Sequence, residues 1–182
     1  MNKGIPTKYA HINFRSRLEA HWAHFFDEID WPWEYEPFDL RGYIPDFVIK
    51  FPHAPLLIEV KPCVVIGELL PAPSEKIEKS GWDKEALIVG ATLFGIKQFD
   101  NLAIGMLGER FPETGELVWG HGLLFRCVAC ERISVYHEVQ SWRCRRCGVG
   151  DGDGHLGCEP YSSLEQCWAN AKNKVQWKGG SK

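Results

Sequence analysis

Tyr43-Ile44-Pro45-Asp46-Phe47-Val48-Ile49, followed by Leu57-Ile58-Glu59-Val60-Lys61, sets two carboxylates and a lysine on what reads as a pair of strands. Residues 56–61 are apolar and β-branched apart from the charged pair, and residues 43–51 have the same character. Phe51-Pro52-His53-Ala54-Pro55 between them is turn-like, and its prolines end both ladders. In an antiparallel hairpin, facing residues lie equally far from the turn centre. The midpoint of Asp46 and Glu59 falls between Pro52 and His53, inside that turn. The two acids should therefore face each other, with Cβ atoms roughly 4.5–5.5 Å apart. Alternation puts Lys61 on the face of Glu59 and turns Ile58 and Val60 to the other. Adjacent carboxylates repel, and burial raises the cost. A divalent cation bound by both removes the conflict, so the pattern predicts a metal site with a lysine beside it.

A third acid lies upstream. Residues 14–29 carry Leu18, Trp22, Phe25, Phe26 and Ile29 at helical spacing, with Asn13 or Ser16 available as the cap. Glu19 sits at the edge of that apolar stripe. Alone it would read as a rim residue on a solvated face. Beside the hairpin pair it reads as a third carboxylate aimed toward the same place.

Glu19, Pro45-Asp46 and Glu59-Val60-Lys61 together resemble the PD-(D/E)xK nuclease superfamily, over residues 14–105. The tripeptide E-x-K alone recurs by chance. Pro-Asp thirteen residues before it and a helical Glu before that make the pattern more specific. The spacing is similar to that of Holliday-junction resolvases. The wording Arg15-Ser-Arg-Leu-Glu19-Ala, Tyr43-Ile-Pro-Asp46 and Leu57-Ile-Glu59-Val-Lys61-Pro62 also resembles endonuclease subunits of heteromeric transposases and phage-borne nucleases. The resemblance implies that Asp46, Glu59 and the backbone carbonyl of Val60 hold magnesium or manganese, hard cations suited to oxygen ligands. It implies that Lys61 orients the attacking water or stabilises charge on the phosphate, and that Glu19 positions a second metal or a water. Pro62, directly after the lysine, should end the strand by removing a backbone donor.

The remaining core follows the same reading. Trp33-Glu34-Tyr35-Glu36 is strand-like, residues 74–85 are helix-like with Glu75 and Lys79 paired at i,i+4, and residues 86–90 and 101–107 read as buried strands. Helix, three strands, helix, strand is the core order that the resemblance implies: an α/β, restriction-endonuclease-like core with a central mixed sheet flanked by helices. Related nucleases place a basic or amide residue on the second helix. For Glu75, Lys76 and Lys79 a solvated helix face is the preferred reading.

Downstream, Cys127-Val-Ala-Cys130 and Cys144-Arg-Arg-Cys147 form two C-x-x-C pairs. Four thiolates on two short knuckles suit tetrahedral zinc, with strand-like residues 133–139 between them as a zinc ribbon requires. Disulfides fit poorly with seven cysteines and no N-terminal apolar run. Cys63 and Cys167 read as small apolar residues. Cys158, His121, His137 and His155 are nearby competitors for the metal, and Asp151-Gly-Asp153 reads as a flexible turn.

The chain of 182 residues thus divides into a nuclease-like core (1–118), a zinc ribbon (119–160) and a C-terminal helix and tail (161–182). Leu164, Cys167, Trp168, Ala171 and Val175 give the helix its spacing, Ser162 or Ser163 caps it, and residues 176–182 fray. The net charge of −3 is not that of a generic nucleic-acid binder. The basic residues are unevenly placed, however: Arg126, Arg132, Arg143, Arg145 and Arg146 cluster on the ribbon, and Lys172, Lys174, Lys178 and Lys182 lie in the tail. The arginines are expected to dock a phosphate backbone, and Trp142 to stack on a base. The expected activity is magnesium-dependent cleavage of DNA, branched or duplex, at a recombination or repair intermediate, with RNA open. The alternatives are a non-catalytic nucleic-acid-binding module on this scaffold, or an endonuclease subunit active inside a transposase-like complex. A homodimer or a partner subunit is compatible with either. No membrane-spanning stretch is evident, and an intracellular, cytoplasmic site is expected.

Overall fold

The hairpin of Asp46 and Glu59 forms the middle of a mixed sheet. The computed structural model describes residues 4–99, 101–111, 113–139, 142–150, 154, 156–157 and 161–175. Cys158, His155, Asp151, Asp153, Lys178 and Lys182 lie outside the described residues, as does the tail after 175. The strands are β1 (Thr7–Tyr9), β2 (Ile12–Phe14), β3 (Trp33–Tyr35), β4 (Phe47–Ile49), β5 (Leu56–Val60), β6 (Ala86–Ile96), β7 (Asn101–Arg110), β8 (Leu117–Cys127), β9 (Ile133–His137) and β10 (Leu156–Gly157). The α-helices are α1 (Arg17–Glu28), α2 (Ala72–Lys79) and α3 (Tyr161–Lys174). β1 and β2 pair separately, and the other eight strands form one sheet in the order β10-β8-β7-β6-β5-β4-β3, with β9 also on β8. Among the described residues only β5 and β6 run parallel, with α2 in the connection between them.

Strand alternation sorts the core into two layers. Phe47, Ile49, Leu56, Ile58, Leu87 and Val89 lie under Trp22, Phe25 and Phe26 of α1, with Leu164 and Ala171 of α3 beside them. Leu57, Ala86 and Ile88 turn the other way, under Ile77 of α2, Leu69 and Trp82. Each large apolar side chain so buried contributes roughly 1.5–3 kcal/mol relative to exposure. The same parity sends Asp46, Glu59 and Lys61 to the α2 face. Gly105 is required where β7 crosses β6, since a Cβ there would lie 2.1 Å from the Ile88 carbonyl oxygen.

Several expectations are corrected. The expected strand 43–51 shrinks to Phe47–Ile49, and Tyr43 instead bridges Leu40 in a turn of its own. The expected helix 74–85 is Ala72–Lys79, ended by Ser80 and by Gly81 at φ +78°. β6 and β7 extend beyond their expected ends, with a bulge between Val89 and Phe94. The division at 118/119 falls inside β8, which pairs with β7 along residues 117–123 and with β9 along 122–126. The cysteine knuckles therefore grow from the central sheet itself. α3 packs on α1, where Trp168 meets His21, Trp22 and Phe25. Among the described residues no helix is long and apolar enough to cross a membrane.

Candidate functional site

Two places concentrate chemistry. The first is a cleft of about 950 Å³ at the end of β4 and β5, lined by Arg15, Glu19, Arg41, Tyr43, Asp46, Glu59, Lys61 and Lys76 among others. β4 and β5 pair Phe47 with Ile58, Val48 with Leu57 and Ile49 with Leu56. One step further along that register sets Asp46 opposite Glu59. Both are buried, at 7% and 6% exposure.

Each carboxylate carries its own donors. The Val60 N–H donates to Asp46 Oδ2 at 2.7 Å, and an Arg15 guanidinium N–H donates to Oδ1 at 2.8 Å. Tyr43 donates its hydroxyl to Glu59 Oε2 at 2.8 Å, while Lys61 Nζ contacts Oε1. Glu19 accepts from the Tyr35 hydroxyl at 2.6 Å and from Ser16 Oγ at 2.7 Å. Ser16, with φ −139° and ψ 156°, is the N-cap of α1 and accepts from the Glu19 N–H. Glu19 is thus tied to its own helix start by a reciprocal capping arrangement. It lines the cleft from α1, on the far side of the sheet from α2, and does not join Asp46 and Glu59 in one tight ligand set. Among the described residues only four cysteines come within 4.8 Å of one another as a metal-holding group.

Burial pushes the Asp46 carboxyl up to about 7, and the neighbouring charges of Glu59 and Glu19 add to the rise. The Val60 amide and Lys61 pull the other way. Burial, then Glu59, holds the Tyr43 hydroxyl far above its ordinary value, so it remains a donor. Burial and Glu19 push Tyr35 up to about 12. The cleft keeps like charges in conflict that a hard cation would relieve, and its oxygen donor set suits one.

The rim is cationic. Lys76 and Lys79 line the cleft and are exposed, as the solvated helix face expected of them implies; Glu75 is not among the lining residues but pairs with Lys79 at 3.2 Å. Arg15, Arg41, Tyr35 and Tyr43 are functional candidates that sequence reasoning assigned no role. Arg15 and Tyr43 lie inside the stretches that carry the resemblance, but their relation to the acids is made by tertiary structure.

The second place is the cysteine group. Cys127, Cys130, Cys144 and Cys147 are positioned to bind a metal ion, consistent with structural zinc. Burial pushes the Cys127 thiol up to about 12, and the amides of Cys130 and Ala129 pull it down. Amides of Cys147 and Arg146 likewise face Cys144. Such N–H groups directed at sulfur suit thiolates bound to a cation. His121 is paired with Glu138 at 2.8 Å, and His137 is buried with Nδ1 accepting from the Val139 N–H. Neither joins the sulfurs. Cys63 and Cys167 are half-buried, and Cys63 donates to the Val65 carbonyl.

The arginine set needs correction. Arg145 and Arg146, expected to touch nucleic acid, are 4% and 9% exposed. Arg145 pairs with Glu85 at 2.5 Å and with Glu109, and Arg146 pairs with Asp30 at 2.7 Å. They stitch the second knuckle into the core and have no surface to offer a phosphate. Arg126, Arg132 and Arg143 are exposed, as is Trp142, whose ring meets Tyr136 edge-on.

No protein-family model, no curated protein and no solved structure matches this chain.

Proposed function

We propose that the cleft is the active site of a metal-dependent endonuclease that hydrolyses DNA phosphodiester bonds. The observation that carries this reading is the pairing of Asp46 with Glu59 across the hairpin, with Lys61 on the same face and cations around the rim. The resemblance to PD-(D/E)xK nucleases rests on those residues and on Glu19. Asp46, Glu59 and the Val60 carbonyl would hold magnesium or manganese, with Glu19 toward a second ion or a water. A cation there supplies Lewis-acid polarisation of the phosphoryl oxygens and acidifies water. Lys61 orients the attacking water or balances the charge that develops on phosphorus-bound oxygen. Tyr43 fixes one Glu59 oxygen, and Arg15 and Lys76 attract the backbone phosphates.

One observation favours a second reading. Every acid in the cleft already has a protein donor, which suits a nucleic-acid-binding module without chemistry. Linear, branched and single-stranded DNA incubated with magnesium, manganese or chelator separates the two. Metal-dependent products that vanish in Lys61→Ala and Asp46→Ala are expected. A Lys61→Ala protein that cuts at the wild-type rate contradicts the assignment. DNA binding with no products in any metal supports the binding module, or a subunit that cuts only beside its partner.

A further inference from the structure

The segment just before the hairpin carries features that the cutting chemistry does not use. Leu40 and Tyr43 close a two-residue turn through paired backbone hydrogen bonds of 2.7 and 3.1 Å. Arg41 and Gly42 occupy its centre at φ +55° and +89°, the left-handed pair of a type I′ turn. The Gly42 N–H also binds Asp39 Oδ1. This fixes where Arg41 leaves the backbone. Its guanidinium lies over Gly81, 3.8 Å from where a Cβ would stand, and faces the cleft. Among the described residues neither Arg41 nor Lys76 has a carboxylate partner within ion-pair distance, so both have charge to spend on an anion.

Three residues before Arg41, Phe38, 37% exposed, stacks on Trp82 with centroids 5.7 Å apart and planes 23° apart. The Trp82 backbone N–H donates to Ser80 Oγ and its indole N–H to the Glu85 carbonyl, and Ser80 lines the cleft. Phe38 is thus an aromatic face supported by Trp82, next in sequence to Gly81, over which Arg41 lies, while Lys76 lines the same cleft as Arg41. A continuous duplex presents phosphates but no open base face. An unpaired nucleotide presents both.

We propose that Phe38, Arg41 and Lys76 form a shelf for an unpaired nucleotide, with the base on Phe38 and its phosphate between the two cations. This rests on the nuclease reading of the cleft and names its substrate class: DNA with single-stranded character beside the cut. Anisotropy of fluorescein-labelled DNA, with no divalent cation added, tests it. The probes are a 20-nucleotide single strand, a blunt 20-base-pair duplex and a duplex bearing a single-stranded flap. The strand and the flap should bind at least about tenfold more tightly than the blunt duplex. Phe38→Ala should erase that preference while leaving duplex binding unchanged, and Phe38→Trp should restore it. Arg41→Ala should weaken all three probes and lower the salt slope by about one. Equal affinity for strand and duplex in the wild type, or an unaltered preference in Phe38→Ala, overturns the shelf. If metal-dependent cutting is intact in that case, the nuclease reading stands alone. If the Phe38-dependent preference is present and no metal yields products, the shelf stands and the nuclease reading falls.

Discussion

The acid cleft and the second cysteine knuckle both bury charge, and they compensate it to different degrees. At the second knuckle the buried guanidinium of Arg145 is compensated from within the protein. Burial alone would lower the Arg145 pKa, but Glu85 and Glu109 more than offset this and hold it above the ordinary arginine value. At the cleft the compensation is incomplete. Arg15, Tyr43, the Val60 amide and Lys61 each satisfy an oxygen, yet the Asp46 carboxyl still rises to about 7. The charged groups at the knuckle serve the fold. Those at the cleft are left in tension, which is the pattern expected of a working site.

The comparison can be broken most forcefully at the cysteines. Cys144→Ser should lose its bound metal, read by elemental analysis, and should unfold well below the wild-type temperature, because a structural metal contributes folding energy directly. A protein that loses the metal yet melts normally would show that the knuckles are ornamental to the sheet. Arg145→Ala follows, leaving Glu85 and Glu109 without their shared cation. Denaturant unfolding should show a loss of about 3–5 kcal/mol. Lys61→Ala should stay within about 1 kcal/mol of the wild type in the same assay while losing cleavage, since its side chain is a third exposed.

Acid sharpens the contrast elsewhere. His21 lies between α1 and α3 against the Trp168 ring, with Nε2 3.0 Å from the Trp168 carbonyl. Burial lowers its pKa to about 4; Lys172 and His24 push the same way, and the Trp168 carbonyl opposes them. The folded state therefore favours the neutral ring. Its stabilisation is complete above the unfolded value near 6.5 and is lost as pH falls from there toward 4, by about 3 kcal/mol. His21→Phe should flatten that part of the stability profile. A profile equally steep in both proteins would assign the acid sensitivity to other groups. The smallest effect belongs to Tyr43→Phe. It should leave stability within about 1 kcal/mol and weaken manganese affinity severalfold, because Glu59 keeps Lys61 but loses the donor that fixes its second oxygen.

What the sequence disclosed, and what it hid, follows the range of the interactions. The register of Asp46 and Glu59 was legible because a short proline-bounded turn sets it locally. The cysteine spacing was legible for the same reason. β8 was not, because Gly120-His121-Gly122 interrupts its alternation and it earns its place only by pairing with β7 and β9. Arg145 and Arg146 looked like surface charge in a basic run. Their partners Glu85, Glu109 and Asp30 are 60, 36 and 116 residues away, so burial could not be read nearby. The convergence of three acids was legible only in part: Glu19 reaches the cleft, but its cap with Ser16 and its bond to Tyr35 keep it on its own helix. The placement of Arg41 over Gly81 depends on two left-handed residues whose relation to α2 no local pattern reveals.

A crystal soaked in manganese and measured at the metal's absorption edge tests the shared-cation claim most directly. An anomalous peak between Asp46 and Glu59, absent in Asp46→Asn, is the expected result. A cleft without a peak, with Arg15, Tyr43 and Lys61 still holding the acids, would contradict it.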